Sequence, residues 1–271
     1  MIQNTISDIA EKLEILAVNP PGLGLRQSCL TGISLFFFLY ARFMGEKKYV
    51  ELANNSLERA LVNFPYYMNY YVATTLADMG RTVNFLTNEK FLEIEESEFA
   101  GYFEEPLMTR LRNDIGVDFG FCTGTTGICD FFLDKANNQE ALDITFGHIY
   151  SGLKVNGYPN HRVESLFLFP SEILRDVTIF FLKLEKMNVP IPQKELLYQA
   201  IRKFESNKIL RSNCHEYYVF QDLREAGILE DKQKIQSTLE KVVASSSDLA
   251  FKGLACMSLE DSSLPAWWKL V

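Results

Sequence analysis

The stretch Thr126-Gly127-Ile128-Cys129-Asp130-Phe131-Phe132 repeats an earlier one, Thr31-Gly32-Ile33-Ser34-Leu35-Phe36-Phe37. Five of the seven positions are identical, and the shared pattern is TGIxxFF. A small residue lies three positions before each glycine, Cys29 in the first copy and Gly124 in the second, and an apolar segment follows. The pattern predicts a loop that turns into the start of a buried helix. Because glycine has no Cβ, we expect the first turn of that helix to pack closely against a neighbouring helix.

Weaker copies extend the repeat along the chain. They are Ala77-Asp78-Met79-Gly80 and Ala250-Phe251-Lys252-Gly253-Leu254. Gly32 and Gly80 are 48 residues apart, and Gly80 and Gly127 are 47 residues apart. The same step leads close to Glu172 and then to Val219, where the turn glycine is replaced. An interval of this length fits one helical hairpin, so we expect about six hairpin units.

Amphipathic segments fill the intervals between the copies. Residues 47–64, 195–204 and 232–243 carry apolar side chains at three- and four-residue spacing, which is typical of helices on the outside of a fold. The helices that begin at the motif are apolar nearly all round, which predicts that they are buried. Two repeated layers of helix predict an all-α fold, one domain over residues 1–271, built as an open solenoid or a closed α/α toroid.

The carboxy-terminal residues favour the closed form. The end units of an open array need a polar outer face. This chain instead ends with apolar side chains, namely Leu264, Trp267, Trp268 and Leu270. We therefore expect an α/α toroid of about six hairpin units in which the last unit seals against the first.

Residues 143–164 interrupt the helical pattern. Gly147, Gly152, Pro159 and the pair Asn156-Gly157 lie close together, and Asn-Gly between apolar residues is a signal for a hairpin. We expect a short loop or a β-hairpin inserted there.

Composition excludes several classes of function. A chain of 271 residues with 47% apolar side chains can bury a full hydrophobic core. Its net charge of −8 argues against partners such as nucleic acid or an anionic membrane surface. We expect no secretory signal, no membrane span and a cytoplasmic protein whose five scattered cysteines are free thiols.

Several of these features together resemble the lanthionine synthetase C-like proteins. They are the Gly-Ile copies at this interval, residues 118–128, the pair Cys214-His215, and the ending Gly253-Leu254-Ala255 followed by Leu264-Pro265. The resemblance covers most of the chain and implies an α/α toroid, which has seven units in that family. It also implies zinc chemistry, because active members add cysteine thiols of a peptide to dehydrated serine or threonine and so close thioether rings.

The zinc site implied by the resemblance is incomplete in this sequence. A catalytic zinc ion needs three protein ligands and one open position, and the family supplies one cysteine and a later Cys-His pair. Cys214 and His215 match the pair, although Glu216 stands where the motif has glycine. Phe167 occupies the place of the other cysteine and offers no ligand. The sequence leaves no room for the unit that carries the family's catalytic histidine. His148 is a possible remnant of that unit, and we do not assign the catalytic role to it.

We therefore expect a shortened, degenerate member of the family that binds a peptide or acts as a scaffold in modified-peptide maturation. Its partner is then a peptide or a maturation enzyme. We expect no catalytic residue and no resident cofactor, with zinc possible at Cys214 and His215. The other interpretation of that pair is a buried thiol beside a hydrogen-bonded histidine.

Two enzyme alternatives stay open. An active zinc-dependent cyclase would use Cys214, His215 and a third ligand that the sequence does not assign. A carbohydrate-active toroid would need two carboxylates in an aromatic cleft. The candidates for that cleft are Glu216, Asp222, Tyr217 and Tyr218. A tyrosine cluster at Tyr66, Tyr67, Tyr70 and Tyr71 would line a peptide groove or pack within a hairpin.

Overall fold

The computed structural model describes residues 2–25, 29–64, 70–113, 119–121, 124–133, 135, 138–153, 171–206 and 215–270. Their regular structure is helical, without a β-strand, which confirms the all-α fold class. The helices are α1 (Ile2–Val18), α2 (Leu30–Met44), α3 (Lys48–Val62), α4 (Tyr70–Asn88), α5 (Glu96–Phe99), α6 (Glu105–Asn113), α7 (Thr125–Phe132), α8 (Asn138–Gly152), α9 (Ser171–Lys186), α10 (Lys194–Ser206), α11 (His215–Leu229), α12 (Lys232–Ser245) and α13 (Leu249–Glu260). A π-helical segment, Ala100–Glu104, joins α5 to α6, and a 3₁₀ turn, Trp267–Leu270, follows α13. Within these residues, no helix combines the length and the apolar character that a bilayer span requires.

Helix α2, which contains the first copy of the motif, is deeply buried. Every residue from Leu30 to Ala41 is buried, in agreement with the apolar pattern around the whole helix. The helix ends at Gly45, whose φ of 72° lies in the left-handed region that favours glycine, and the Gly45 N–H donates to the carbonyl of Ala41. Burial of each large side chain in this helix, such as Phe37, contributes about 1.5–3 kcal/mol.

Helix α3 forms the outer partner of α2. Its buried residues are small or aliphatic and recur at helical spacing, and they include Ala53, Leu57 and Ala60. The hydroxyl of Ser34 on α2 donates to the carbonyl of Ala53 at 2.8 Å, which satisfies a polar side chain inside the core. The expected outer helices at residues 47–64, 195–204 and 232–243 are confirmed as α3, α10 and α12, with bounds shifted by up to two residues.

The contacts divide the chain into two compact units. Unit 1 contains Met1–Tyr67, Asp78–Ile94 and His215–Val271, and unit 2 contains Met68–Ala77 and Glu95–Cys214. In unit 1, α13 packs against α1, α2 and α12, so the last full helix contacts the first two. In unit 2, α7 packs against α6, α8 and α9.

The carboxy-terminal aromatic residues complete the core of unit 1. Trp267 is fully buried and stacks on Phe251 with ring centroids 5.6 Å apart. Its indole N–H donates to the hydroxyl of Ser258 at 2.9 Å, so the polar end of this large side chain is satisfied. Trp268 lies against Gly227 of α11. The apolar ending of the sequence is therefore a packed part of the unit.

Part of the predicted insertion is wrong. Residues 143–152 belong to α8, and Phe146, Gly147 and Tyr150 are buried in it. Gly147 weakens a helix only modestly, and burial of the flanking apolar side chains compensates for that cost. Residues 154–164, including Asn156-Gly157 and Pro159, lie outside the described residues.

The structure also corrects the role of the motif glycines. Gly32 and Gly127 are each the third residue of a buried helix, as predicted, but Gly80 lies well inside α4 and opens no helix. The close neighbour of Gly32 is the carbonyl oxygen of Leu25, and that of Gly127 is the carbonyl oxygen of Phe121. At these two glycines the closest contact is thus made with the preceding loop. At Gly253 an added Cβ would collide with the ring of Phe36 on α2, so the expected contact with a neighbouring helix is confirmed there.

We predict that Gly127→Ala destabilises the protein by about 3 kcal/mol, because its Cβ would overlap the carbonyl of Phe121 and the backbone there cannot move cheaply. Gly101→Ala is the matched control, because no atom lies within 4 Å of its added Cβ. Alanine is the better helix former, so this control should raise stability by up to about 1 kcal/mol. Urea unfolding followed by circular dichroism measures both, and equal midpoints for the two variants would contradict the prediction.

Candidate functional site

The two TGIxxFF copies build the same junction between a loop and a helix. The hydroxyl of Thr31 donates to the carbonyl of Leu23, and the hydroxyl of Thr126 donates to the carbonyl of Phe119 at 2.7 Å. The glycine that follows each threonine leaves space for a loop carbonyl. Repetition in the sequence is therefore matched by repetition of the contacts.

The first turn of α2 is hydrogen-bonded by its own loop. The N–H groups of Leu30, Thr31 and Gly32 donate to three successive carbonyls of residues 22–24, at 3.1, 3.1 and 3.4 Å. The first N–H groups of a helix have no partner within the helix and commonly bind an anion or a capping side chain. At α2 the loop carbonyls accept these hydrogen bonds instead, so the three amides stabilise the junction between the loop and the helix.

The junction at α7 is held from outside by a buried carboxylate. Asp176 of α9 is 2% exposed and accepts a hydrogen bond from the N–H of Phe121 at 2.8 Å. Phe121 is the residue whose carbonyl lies against Gly127. Helix α9 thereby fixes the loop that precedes the motif.

A second polar contact joins α7 and α9. Asp130 takes the place of Leu35 in the repeated motif, and its side chain is 2% exposed. The ammonium group of Lys183 lies 2.8 Å from its carboxylate. A carboxylate this deeply buried requires a charged partner. This ion pair therefore stabilises the contact between α7 and α9.

The three cysteines that the structure describes are buried free thiols, as expected. Burial raises the pKa of the Cys129 thiol to about 12 and that of Cys29 to about 11, and the carboxylate of Asp248 contributes to the second rise. Burial also raises the pKa of Cys256. The thiolate is the form that attacks electrophiles and binds metals. These three thiols are protonated near neutral pH and are poorly suited to either task.

The predicted metal ligands fall largely outside the described residues. Cys214 and Phe167 lie there, and so do the side chains of His215 and Glu216, although His215 is the first residue of α11. Among the side chains that the structure does describe, no three of His, Cys, Asp and Glu converge on a common point as metal ligands would. The described donor set therefore does not complete a tetrahedral zinc site.

The remaining candidates are distributed over separate helices. His148 is buried in α8 of unit 2, whereas Asp222 lies on α11 of unit 1 with the rings of Tyr217 and Tyr218 at an edge-to-face distance of 6.5 Å. The carboxylate of Glu216, which the carbohydrate alternative pairs with Asp222, lies outside the described residues, as do the side chains of the tyrosine cluster at 66–71.

No motif or spacing in the sequence assigns a role to Asp130, Asp176 or Lys183. One signal was present, because Asp130 is a charged residue at a position where the first copy of the motif has leucine. Asp176 gave no such signal, since its partner Phe121 is 55 residues away in the chain and contributes a backbone N–H.

We predict that Lys183→Met lowers the free energy of unfolding by about 1–3 kcal/mol, because it leaves the Asp130 carboxylate buried without its ammonium partner. Lys186→Met is the matched control on the same helix, since Lys186 is exposed, and its effect should stay within about 0.5 kcal/mol. Thermal and urea unfolding report the difference, and a tolerated Lys183→Met would argue against the proposed role of the ion pair.

We also predict that Cys29, Cys129 and Cys256 react slowly with a thiol reagent in the native protein and rapidly after unfolding. In the unfolded chain these thiols ionise near 9.0. The unfolded state therefore loses protons first as the pH rises above 9, and the stability due to these neutral thiols declines toward pH 11 to 12. Peptide mapping after alkylation identifies the residues. Fast native labelling of Cys129 would contradict the prediction.

Comparison of the chain with models of protein families, with curated proteins and with solved structures finds no match. The likeness to lanthionine synthetase C-like proteins therefore stays a resemblance of motifs. The contacts at Gly32 and Gly127 describe how the two strongest copies of the motif are built in this chain.

Proposed function

We propose that the protein is a shortened relative of the lanthionine synthetase C-like proteins that binds a peptide or a maturation enzyme and does not catalyse cyclisation. The observation that carries the proposal is the repeated junction. Both strong copies of the motif open a buried helix, bond a threonine hydroxyl to a loop carbonyl, and place a glycine under a loop carbonyl. This repeated unit supports an α/α toroid of about six hairpins.

Contacts at the ends of the chain support closure of the ring. Helix α13 packs against α1 and α2, as a toroid requires of its last and first units. Gly253 of α13 allows this approach, because an added Cβ would collide with the ring of Phe36 and contact Ile9 at 3.0 Å.

The residues at the ligand positions that the resemblance implies support a binding role. Phe167 stands in the place of one family cysteine, and a benzyl side chain supplies no electron pair for a metal. Two ligands, Cys214 and His215, give weak chelation. Each described thiol favours its protonated form, since burial raises all three pKa values. Such thiols suit a reducing compartment, and we place the protein in the cytoplasm.

One observation favours the alternative of an active zinc-dependent cyclase. Cys214 and His215 are adjacent in the sequence, and His215 is the first residue of α11. Cysteine and histidine are both common zinc ligands. In that case a third ligand completes the site and leaves one position for the thiolate of the peptide.

Metal analysis of the purified protein separates the two. We predict zinc far below one equivalent, unchanged by Cys214→Ala, because the sequence assigns only two ligands. Cys256→Ala is the matched control, since it removes a buried thiol from the core of α13. Stoichiometric zinc that is lost in Cys214→Ala and kept in Cys256→Ala would overturn the proposal and establish the metal site.

A further inference from the structure

We propose that the groove between α1 and α3 is a docking site for a cationic, amphipathic peptide segment of a partner protein. The groove has a volume of about 530 Å³, and Ala17, Val18, Leu52 and Val62 form its apolar lining. The inference rests on the proposed binding role and names the chemistry of the partner. All residues involved belong to unit 1.

The groove lies between two helices that pack chiefly on different partners. Helix α1 packs mainly on α13 and also contacts α2, whereas α3 packs on α2. The gap between them is crossed by Arg59, whose guanidinium donates to the carbonyls of Ala17 and Val18 at the end of α1. This bridge fixes the width of the groove at one end and satisfies carbonyls that have no partner within the helix.

Large aliphatic side chains are exposed at the same end. Val18 is 78% exposed and Val62 is 75% exposed, and each is the last residue of its helix. Ile15, which is 73% exposed, lies one turn before Val18 on the same face of α1. Of these three, Val18 and Val62 line the groove, so its apolar lining includes two largely exposed side chains that a partner would cover.

The charge of the groove selects a basic partner. Glu14 and Glu58 belong to its lining and outnumber the single lining cation, Arg59, which donates to the carbonyls at the end of α1. Helix α3 also ends at the groove, and the carboxy-terminal end of a helix carries partial negative charge. A ligand with lysine or arginine beside leucine-like side chains would complement both the carboxylates and the apolar lining.

The same charges disfavour a second copy of the chain. With a net charge of −8, two copies repel one another, and juxtaposed acidic grooves would add to that repulsion. An anionic membrane is disfavoured for the same reason. The cationic peptide is therefore the occupant that the surface fits best.

The test uses the full chain and a synthetic peptide of about 18 residues, with leucine and lysine at helical spacing. A peptide with glutamate in place of every lysine is the ligand control. Fluorescence anisotropy should show binding of the basic peptide alone, weakening as salt is raised to about 0.5 M. Binding of both peptides, or of neither, overturns the proposal.

Variants of α3 locate the binding surface. Glu58→Lys and Val62→Lys should each weaken binding about tenfold, whereas Glu51→Lys, an exposed residue on the same helix that does not line the groove, should change it less than about twofold. Circular dichroism checks that each variant is folded. Equal weakening by Glu51→Lys and Glu58→Lys would show unspecific attraction and overturn the proposal. A concentration-dependent dimer that Val62→Lys dissolves would assign the groove to a second copy instead.

This outcome is independent of the metal analysis. Stoichiometric zinc would overturn the proposed binding role but would not change the result of the peptide measurement. Loss of selectivity between the two peptides would overturn only the proposal that the groove binds a basic peptide.

Discussion

The close approach of a loop carbonyl to a glycine in the first turn of a buried helix is the constraint on which both units depend. At Gly32 and Gly127 a single additional carbon atom would overlap a backbone oxygen of the preceding loop. The adjacent threonine hydroxyl bonds the same loop, so the loop and the helix start form one rigid piece. Helices that begin in this way enter the core at a fixed position, and the outer helix α3 and the partner helix α9 then pack against them.

Much of this arrangement can be predicted from the sequence, because its signals are local. The motif predicts two helix starts, and apolar residues at three- and four-residue spacing predict α3, α10 and α12 closely. The prediction of an insertion over residues 143–152 is wrong because a glycine does not by itself end a helix, and burial of neighbours such as Phe146 outweighs the cost of Gly147. The prediction that Gly80 opens a helix is wrong for a related reason. The residue type alone does not distinguish a glycine inside a helix from one at its start.

The parts of the candidate site that the sequence did not predict depend on distant contacts. Asp176 and Lys183 meet residues more than 50 positions away, at separations of 55 and 53. The groove between α1 and α3 results from the packing of each helix on a third element, which no spacing within either helix encodes.

The composition of unit 1 has a consequence for how the protein is made. Its helices α1 and α2 precede unit 2 in the chain, and α11 to α13 follow it. At a synthesis rate of about 5–20 residues per second, the intervening residues 68–214 take on the order of ten seconds to emerge from the ribosome. During that delay α2 can pack against α3, which follows it directly in the chain, but the face of α2 that contacts α13 lacks its partner. The core of unit 1 is therefore completed only after unit 2 has been translated.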